Sequence, residues 1–520
     1  MKRKVLSVLL ASAMVFSMAA CGNEPAEGSN VTPAPSGANT AAPSNTNAPD
    51  TQATPAPTEV AKSEGELLAE QYNGFVETPM DLKGRVIKIA CSVDWKYERK
   101  YDAEGKETTA DKDRAVIDIL DQIEKDYNCT IEATKIKGKD VVNKLNDDML
   151  GGAPEFDIID QGVSDTYIDK ILSQNLAMDL NDPRVKDIIK FDTNPWKPQS
   201  DYGVYNGVQY GVNFVTSNSS NDLRNALLFN IDLAEEYKLG DIYGMVKDGT
   251  WTWEKFEELC EKIKTESGGT VTPCGYGKEN LLFPMVMSSN NAATGRRDAS
   301  GKMQFTALED SALQAANWVY KLRQDGYMAP NTGSPLAGSI GIEKSKNSAK
   351  AEKFFEDGAC VFYFDFYGDL QKLTGNSSTP IETKYTFGLL PCPLGPEAVK
   401  AGDKCHGVTY SVDLQMIVNG TKNPEEVAAV LVAIANRTSK TPENVYETET
   451  ELTLQDEGSV EMLKLMYEDM RSDYSRAYCK IGIGGACNKI LSLESTPKEA
   501  FEAIQAETQG IYDGTVIKDM

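Results

Sequence analysis

RVIKIACSV (85–93), RAVIDILDQIEKDYN (114–128), CTIEATKIK (129–137), VVNKLNDDMLGG (141–152) and FDIIDQG (156–162) follow one another along the chain. The first is a short, apolar, β-branched run and reads as a buried strand. The second places Val116, Ile117, Leu120, Ile123 and Tyr127 on one face of a helix. A second strand follows, then a helix closed by two glycines, then a third strand. Strand, helix, strand, helix, strand at this spacing predicts a parallel sheet with right-handed crossovers. Ligands of such sheets sit beyond the carboxyl ends of the strands. Those ends are Asp94 and Trp95 after the first strand, and Gln161 to Asp165 after the third.

A second series lies further along. NALLFNI (225–231) is a strand, and WTWEKFEELCEKIKTE (251–266) is a helix with Thr252 as its N-cap. ALEDSALQAANWVYKLRQDGYM (307–328) is a long amphipathic helix. DGACVFYFDFYGDL (357–370) and YTFGLLPCPLG (385–395) are strands, and TYSVDLQMIV (409–418) leads into the helix NPEEVAAVLVAIANRT (423–438). Trp251, Trp253 and Trp318 read as core, and His406 as a loop residue.

The chain has 520 residues, 41% apolar and 25% charged, an ordinary globular composition. Its net charge of −25 opposes nucleic acid, whose affinity comes largely from cations on phosphate. With one histidine, a Ser-His-Asp triad or a two-His zinc site has at most one place to stand. No dinucleotide-binding, P-loop, metalloprotease or EF-hand spacing occurs, and no metal or cofactor is expected.

Lys2, Arg3 and Lys4 precede VLSVLLASAMVFSMAA and Cys21, which reads as a secretory signal (1–20). Met18-Ala19-Ala20-Cys21 resembles a bacterial lipobox, in which Cys21 carries the lipid at the outer face of the cytoplasmic membrane. Residues 21–62, with seven prolines from Pro25 to Pro57, form a tether too poor in large apolar groups to fold. Such a chain spans roughly 35 Å r.m.s.. VAAVLVAIA (427–435) falls well short of the ~18 apolar residues needed to cross a bilayer.

The order of these segments carries a resemblance. The lipobox, RVIKIACSVDW, CTIEATKI, KLNDDMLGGAPEFDII, SQNLAMDLND, YNGVQYGVNF, NALLFNIDLAEEYKL, TWTWEKFEEL, KFFEDGACVFY, YTFGLLPCPLGP and NGTKNPEEVAAVLVAIAN stand in the order found in family 1 extracellular solute-binding proteins. That group includes the maltodextrin-binding proteins of ABC importers. The resemblance implies an α/β fold of two lobes (the type II periplasmic-binding-protein arrangement), each a mainly parallel sheet flanked by helices, joined by hinge strands. Crossings are expected near 213–217, 407–411 and 450–458. Lobe one would hold 84–213 and 412–455, and lobe two 217–407 and 458–520. The implied activity is capture of a solute, expected to be a carbohydrate or oligosaccharide, by a monomer anchored through lipid, and its delivery to permease subunits.

Sugars offer apolar CH faces to aromatic rings and hydroxyls to Asp, Asn and Gln. The expected ligand residues are therefore Asp94, Trp95, Gln161, Asp165, Asn213, Asp365, Tyr367 and Tyr478. The maltodextrin branch places stacking aromatics near the last two. Each has a plainer reading as a cap or a core strand residue. Two other functions stay open: a surface glycosidase using paired carboxylates, and a sensory lipoprotein that passes its ligand to a receptor. Of ten cysteines, lipidation of Cys21 leaves nine, so complete pairing within one chain is excluded. Cys392 with Cys405 is the best local candidate for a bridge, against two free thiols, and Cys479 with Cys487 a weaker one.

Overall fold

The computed structural model describes residues 62–72, 74–91, 101–109, 111–136, 138–162, 168–193, 200–214, 223, 225–277, 279–299, 301–329, 355–374, 383–409, 412–438, 454–474 and 483–513. Its strands are β1 (Arg85–Cys91), β2 (Cys129–Lys135), β3 (Ile158–Gly162), β4 (Val204–Tyr205), β5 (Val208–Gln209), β6 (Asn225–Asn230), β7 (Thr272–Tyr276), β8 (Gly295–Arg297), β9 (Met303–Phe305), β10 (Cys360–Phe366), β11 (Phe387–Leu390), β12 (Gly407–Thr409), β13 (Asp413–Ile417) and β14 (Met470–Ser472).

Two sheets result. The smaller runs β13-β3-β1-β2, with β1 parallel to β2 and β3, and β13 antiparallel to β3. The larger runs β14-β12-β6-β10-β7, with β11 also on β6. Here β6 alone runs against its neighbours β10, β11 and β12, while β7 follows β10 and β14 follows β12. The larger sheet is thus parallel in strand direction but antiparallel at its centre. Strands β3, β6 and β11 are buried along their whole length, as strands covered on both faces must be.

Local chemistry sets the helix ends. The Thr252 hydroxyl accepts from Lys255 N and starts the helix Trp253–Glu266. Thr496, Pro497 and Glu499 form a capping box at Pro497–Tyr512. Trp251 is fully buried, with its indole N–H on the Pro391 carbonyl, and Trp253 lies flat on Trp318 with centroids 4.7 Å apart. All three tryptophans are core. The helix Pro424–Thr438 is apolar on nearly every side, and its residues 427–438 are buried. No helix among the described residues is long and apolar enough to cross a membrane.

Of the two alternatives for Cys392 and Cys405, the structure has two free thiols, both buried, and not the bridge. The segment between them folds into a helix, Pro396–Ala401, held at its end by Gly402 in the left-handed conformation. Burial pushes the Cys405 thiol up to about 12. Cys487 is also a buried free thiol, while Cys21 and Cys479 lie outside the described residues.

The fold begins earlier than residue 84. Ser63 caps a helix, Glu64–Gln71, through a capping box with Glu66. The segment after it delivers Glu77 into the interior. The Arg437 guanidinium clasps both Glu77 oxygens, at 2.9 and 2.8 Å, and reaches Asp126 at 2.6 Å. Tyr127 Oη donates to Glu77 at 3.0 Å and Asn436 Nδ2 at 2.8 Å. Asn436 also receives Phe75 N and donates to the Leu68 carbonyl. Neither the Arg437 nor the Glu77 side chain is more than 1% exposed. Breaking a buried pair strands the surviving charge, at about 3–5 kcal/mol. Arg437→Ala is therefore expected to lose stability on that scale in urea unfolding, and more than Glu77→Gln, which keeps Asn436 and Tyr127 bonded.

Candidate ligand-binding site

The carboxyl ends of the strands locate the site. In the smaller sheet β1 and β3 end at Cys91 and Gly162, and Asp413 enters β13 opposite Gly162. In the larger sheet β7, β10, β12 and β14 end on one edge at Tyr276, Phe366, Thr409 and Ser472, where β6 begins at Asn225. Thr409 and Asp413 are four positions apart in the chain, so the two edges meet at this crossing.

Buried polar side chains stitch the crossing together. Tyr202 Oη reaches the Thr409 carbonyl at 3.0 Å and also the Asp473 carbonyl. Desolvation holds its phenol protonated, well above the usual range. Asn213 Nδ2 donates to the Asp413 carbonyl at 2.6 Å, and Asn213 N to Ser200 Oγ. Gln415 accepts from Phe214 N and donates to Asp160 Oδ1, both at 2.8 Å. Gln161 Nε2 spans to the carbonyls of Ala90 and Ile136, at 3.1 and 3.4 Å.

Four of the expected ligand residues thus have a place. Gln161 and Asn213 come together at the edge of the smaller sheet, and both are fully buried. Asp365 and Tyr367 lie at the edge of the larger sheet, 1% and 0% exposed. The Asp365 carboxylate packs on the α-carbon of Gly277, where any side chain would collide with it. In this arrangement all four support the edges from within. Asp94, Trp95, Asp165 and Tyr478, and the lipidation residue Cys21, lie outside the described residues.

Sequence reading missed Tyr202, Asn225 and Gln415. Their signal was a polar residue at or beside the end of an apolar run, as in NALLFN and DLQMI. Asn225 is 2% exposed; its Nδ2 donates to the Leu281 carbonyl at 2.5 Å, and its Oδ1 has no hydrogen-bond partner among the described residues.

His406 is a loop residue just before β12, as read from the sequence, and it is buried. Its Nε2 lies 2.8 Å from Ser288 Oγ, and its Nδ1 faces the Lys404 carbonyl. Burial first, and then the Arg471 charge, push the imidazole down to about 4. A serine-histidine pair with so weak a base, oriented by a carbonyl, makes a poor nucleophile at neutral pH. Among the described residues no group of three His, Cys, Asp or Glu side chains is arranged to hold a metal.

A family model described as bacterial extracellular solute-binding protein matches residues 118–445, well over half of the chain. Solved structures align over most of it. The cyclic α-maltosyl-1,6-maltose binding protein of Arthrobacter globiformis is 13% identical, with a TM-score of 0.52, covering 83% of this chain and 100% of that one. The GacH receptor of Streptomyces glaucescens, solved unliganded and with acarbose, is 13% identical, with a TM-score of 0.50, covering 83% and 99%. UgpB of Mycobacterium tuberculosis, solved with glycerophosphocholine, is 15% identical, with a TM-score of 0.50, covering 78% and 96%. No curated protein matches the chain. The fold is that of the two-lobed periplasmic binding proteins.

The buried neutral imidazole makes stability depend on pH. Its folded pKa lies below the unfolded value of about 6.5, so its contribution is complete above pH ~6.5 and fades as pH falls toward 4. Between pH 7 and 5 this group alone is expected to cost about 2 kcal/mol. Urea unfolding of His406→Gln at both pH values should show a smaller loss than the parent chain.

Proposed function

The chain belongs to the bacterial extracellular solute-binding proteins, and on that premise we propose that it captures a carbohydrate between two lobes and delivers it to an ABC importer. The observation that carries this reading is that one carboxyl edge ends at Thr409 and the other is entered at Asp413, four positions on. A solute at that junction touches both lobes and selects the closed state by doing so. The proposed lobes are 84–213 with 412–455, and 217–407 with 458–520.

We assign direct contact to Asp94, Trp95, Asp165 and Tyr478. They combine aromatic faces for CH surfaces with carboxylates for hydroxyls. Gln161, Asn213, Asp365 and Tyr367 then hold the edges against which the sugar closes. Structural neighbours solved with acarbose or named for a maltosyl sugar support a carbohydrate; the neighbour solved with glycerophosphocholine makes glycerophosphodiesters the rival cargo. The protein acts as a binder without turnover, as a monomer, and is held outside the cytoplasmic membrane by lipid on Cys21 and the 21–62 tether. Permease subunits are its partners.

A thermal-shift screen of oligosaccharides, glycerophosphodiesters and peptides tests this. A cognate oligosaccharide at 100 times its Kd is expected to stabilise the chain by about 2.7 kcal/mol and to be recovered intact. Cleavage at enzymatic rates, or stabilisation by a different class alone, overturns the reading. Trp95→Ala is expected to weaken binding by about 1–3 kcal/mol while the ligand-free Tm stays unchanged. Cys21→Ala should release the protein from the membrane fraction to the medium, as cell fractionation reads directly.

A further inference from the structure

Two hairpins meet beside the crossing, on the side of Tyr202 and Tyr474. The β4–β5 hairpin is tied to the smaller sheet: Gln209 O receives Leu180 N at 2.8 Å, and Val212, just beyond, exchanges both main-chain bonds with Gln415 of β13. The β8–β9 hairpin is tied to the body of the larger sheet. Phe305 N donates to Gln509 Oε1 at 2.9 Å, and Gln509 Nε2 returns to the Met303 carbonyl at 3.2 Å. Their tips touch. Gly301 lies so close to the β4–β5 turn that a methyl group on it would stand 2.6 Å from Gly207 N. Arg297 fixes the contact by donating to the Val204 carbonyl at 2.6 Å and to the Asp201 carbonyl, with its guanidinium 4.6 Å from the Tyr474 ring centre.

A notch of about 270 Å³ opens where the tips meet, lined by Tyr205 and Asn206 from one hairpin, Lys302 and Met303 from the other, and Tyr512 and Asp513 at the end of the last helix. We propose that this notch is a second ligand site, distinct from the cleft, and that it takes a neutral polyhydroxylated molecule the size of one sugar ring or a short polyol. The volume falls just below the range of drug-sized sites and suits one ring. Its lining residues carry one cation, Lys302, and one anion, Asp513, so the lining has no net charge. The half-buried Tyr205 ring offers a face for CH groups. The Asn206 amide, the Lys302 ammonium and the Asp513 carboxylate offer donors and acceptors for hydroxyls. Because its walls belong to both sheets' bodies, an occupant stabilises the arrangement in which the hairpins touch. It is thereby coupled to whatever the main cleft binds.

The buried Met303 is a built-in reporter. The full chain, labelled with ¹³C-methyl methionine and with Met303 identified through Met303→Leu, is titrated with glucose, ribitol and glycerol, and separately with glutamate and inorganic phosphate. The expected result is a saturable shift of the Met303 methyl with at least one neutral polyol and none with the charged probes. Tyr205→Ala should weaken that binding roughly tenfold, the loss of one ring against a sugar face, with an unchanged Tm. A linear, non-saturating shift overturns the proposal. So does a response confined to other methyls, a response to charged probes alone, or an isotherm untouched by Tyr205→Ala. The titration is repeated on Trp95→Ala, in which the proposed cleft contact is removed: an unchanged Met303 isotherm places the ligand at the notch, and loss of the response overturns the proposal.

Discussion

The chain leaves one sheet at Thr409 and enters another at Asp413, and a main-chain polar group buried beside that crossing must find its partner inside the protein. The surrounding structure is organised around that constraint. The Thr409 carbonyl receives Asp473 N at 2.8 Å as well as the Tyr202 hydroxyl, and the Asp413 carbonyl receives Asn213 Nδ2. Gln415 exchanges main-chain bonds with Val212 and uses its amide on both Phe214 and Asp160. Segments 200–214 and 470–474 are therefore held at the crossing by chemistry that water cannot supply there. An unmet donor or acceptor in such a place costs about 1–3 kcal/mol.

The same economy governs charge. Most ion pairs of this acidic chain are partly exposed and contribute little. The exception is the Glu77–Arg437 pair, sealed under the first helix and bonded by Tyr127 and Asn436. It fastens residues 63–80 to the helix Pro424–Thr438, which packs in the core of the smaller sheet. Residues 74–80 are thereby locked onto the body of the smaller sheet before β1 begins. A buried pair of this kind does more for the uniqueness of the attachment than for its net stability.

For function, the consequence is rigidity at the edges. Gln161, Asn213, Asp365 and Tyr367 are buried, and the amides of Gln161 and Asn213 bond main-chain carbonyls at the edge of the smaller sheet. Preorganised edges spare a binding protein the ordering entropy that flexible walls would charge on closure. His406 belongs to the same scaffold: a buried, neutral imidazole bonded to Ser288, with a proton affinity too low for base chemistry near neutral pH.

Local signals were legible in the sequence because they are local. Apolar periodicity located β1, β2, β3 and the helices between them. Thr252 announced its helix, and the three tryptophans announced the core. The order of these pieces was enough to recognise the family. What the sequence could not carry was set by partners far apart in the chain. Nothing in NALLFNI says that β6 runs against β10 and β12; direction depends on where residues 355–409 come to lie. Nothing near residue 77 announces Arg437, 360 positions away, so the first helix went unread. Gln161 and Asn213 looked like ligand residues because polar groups at strand ends serve both purposes. Only the tertiary structure shows their amides on the carbonyls of Ala90, Ile136 and Asp413, because those partners lie far away in the chain.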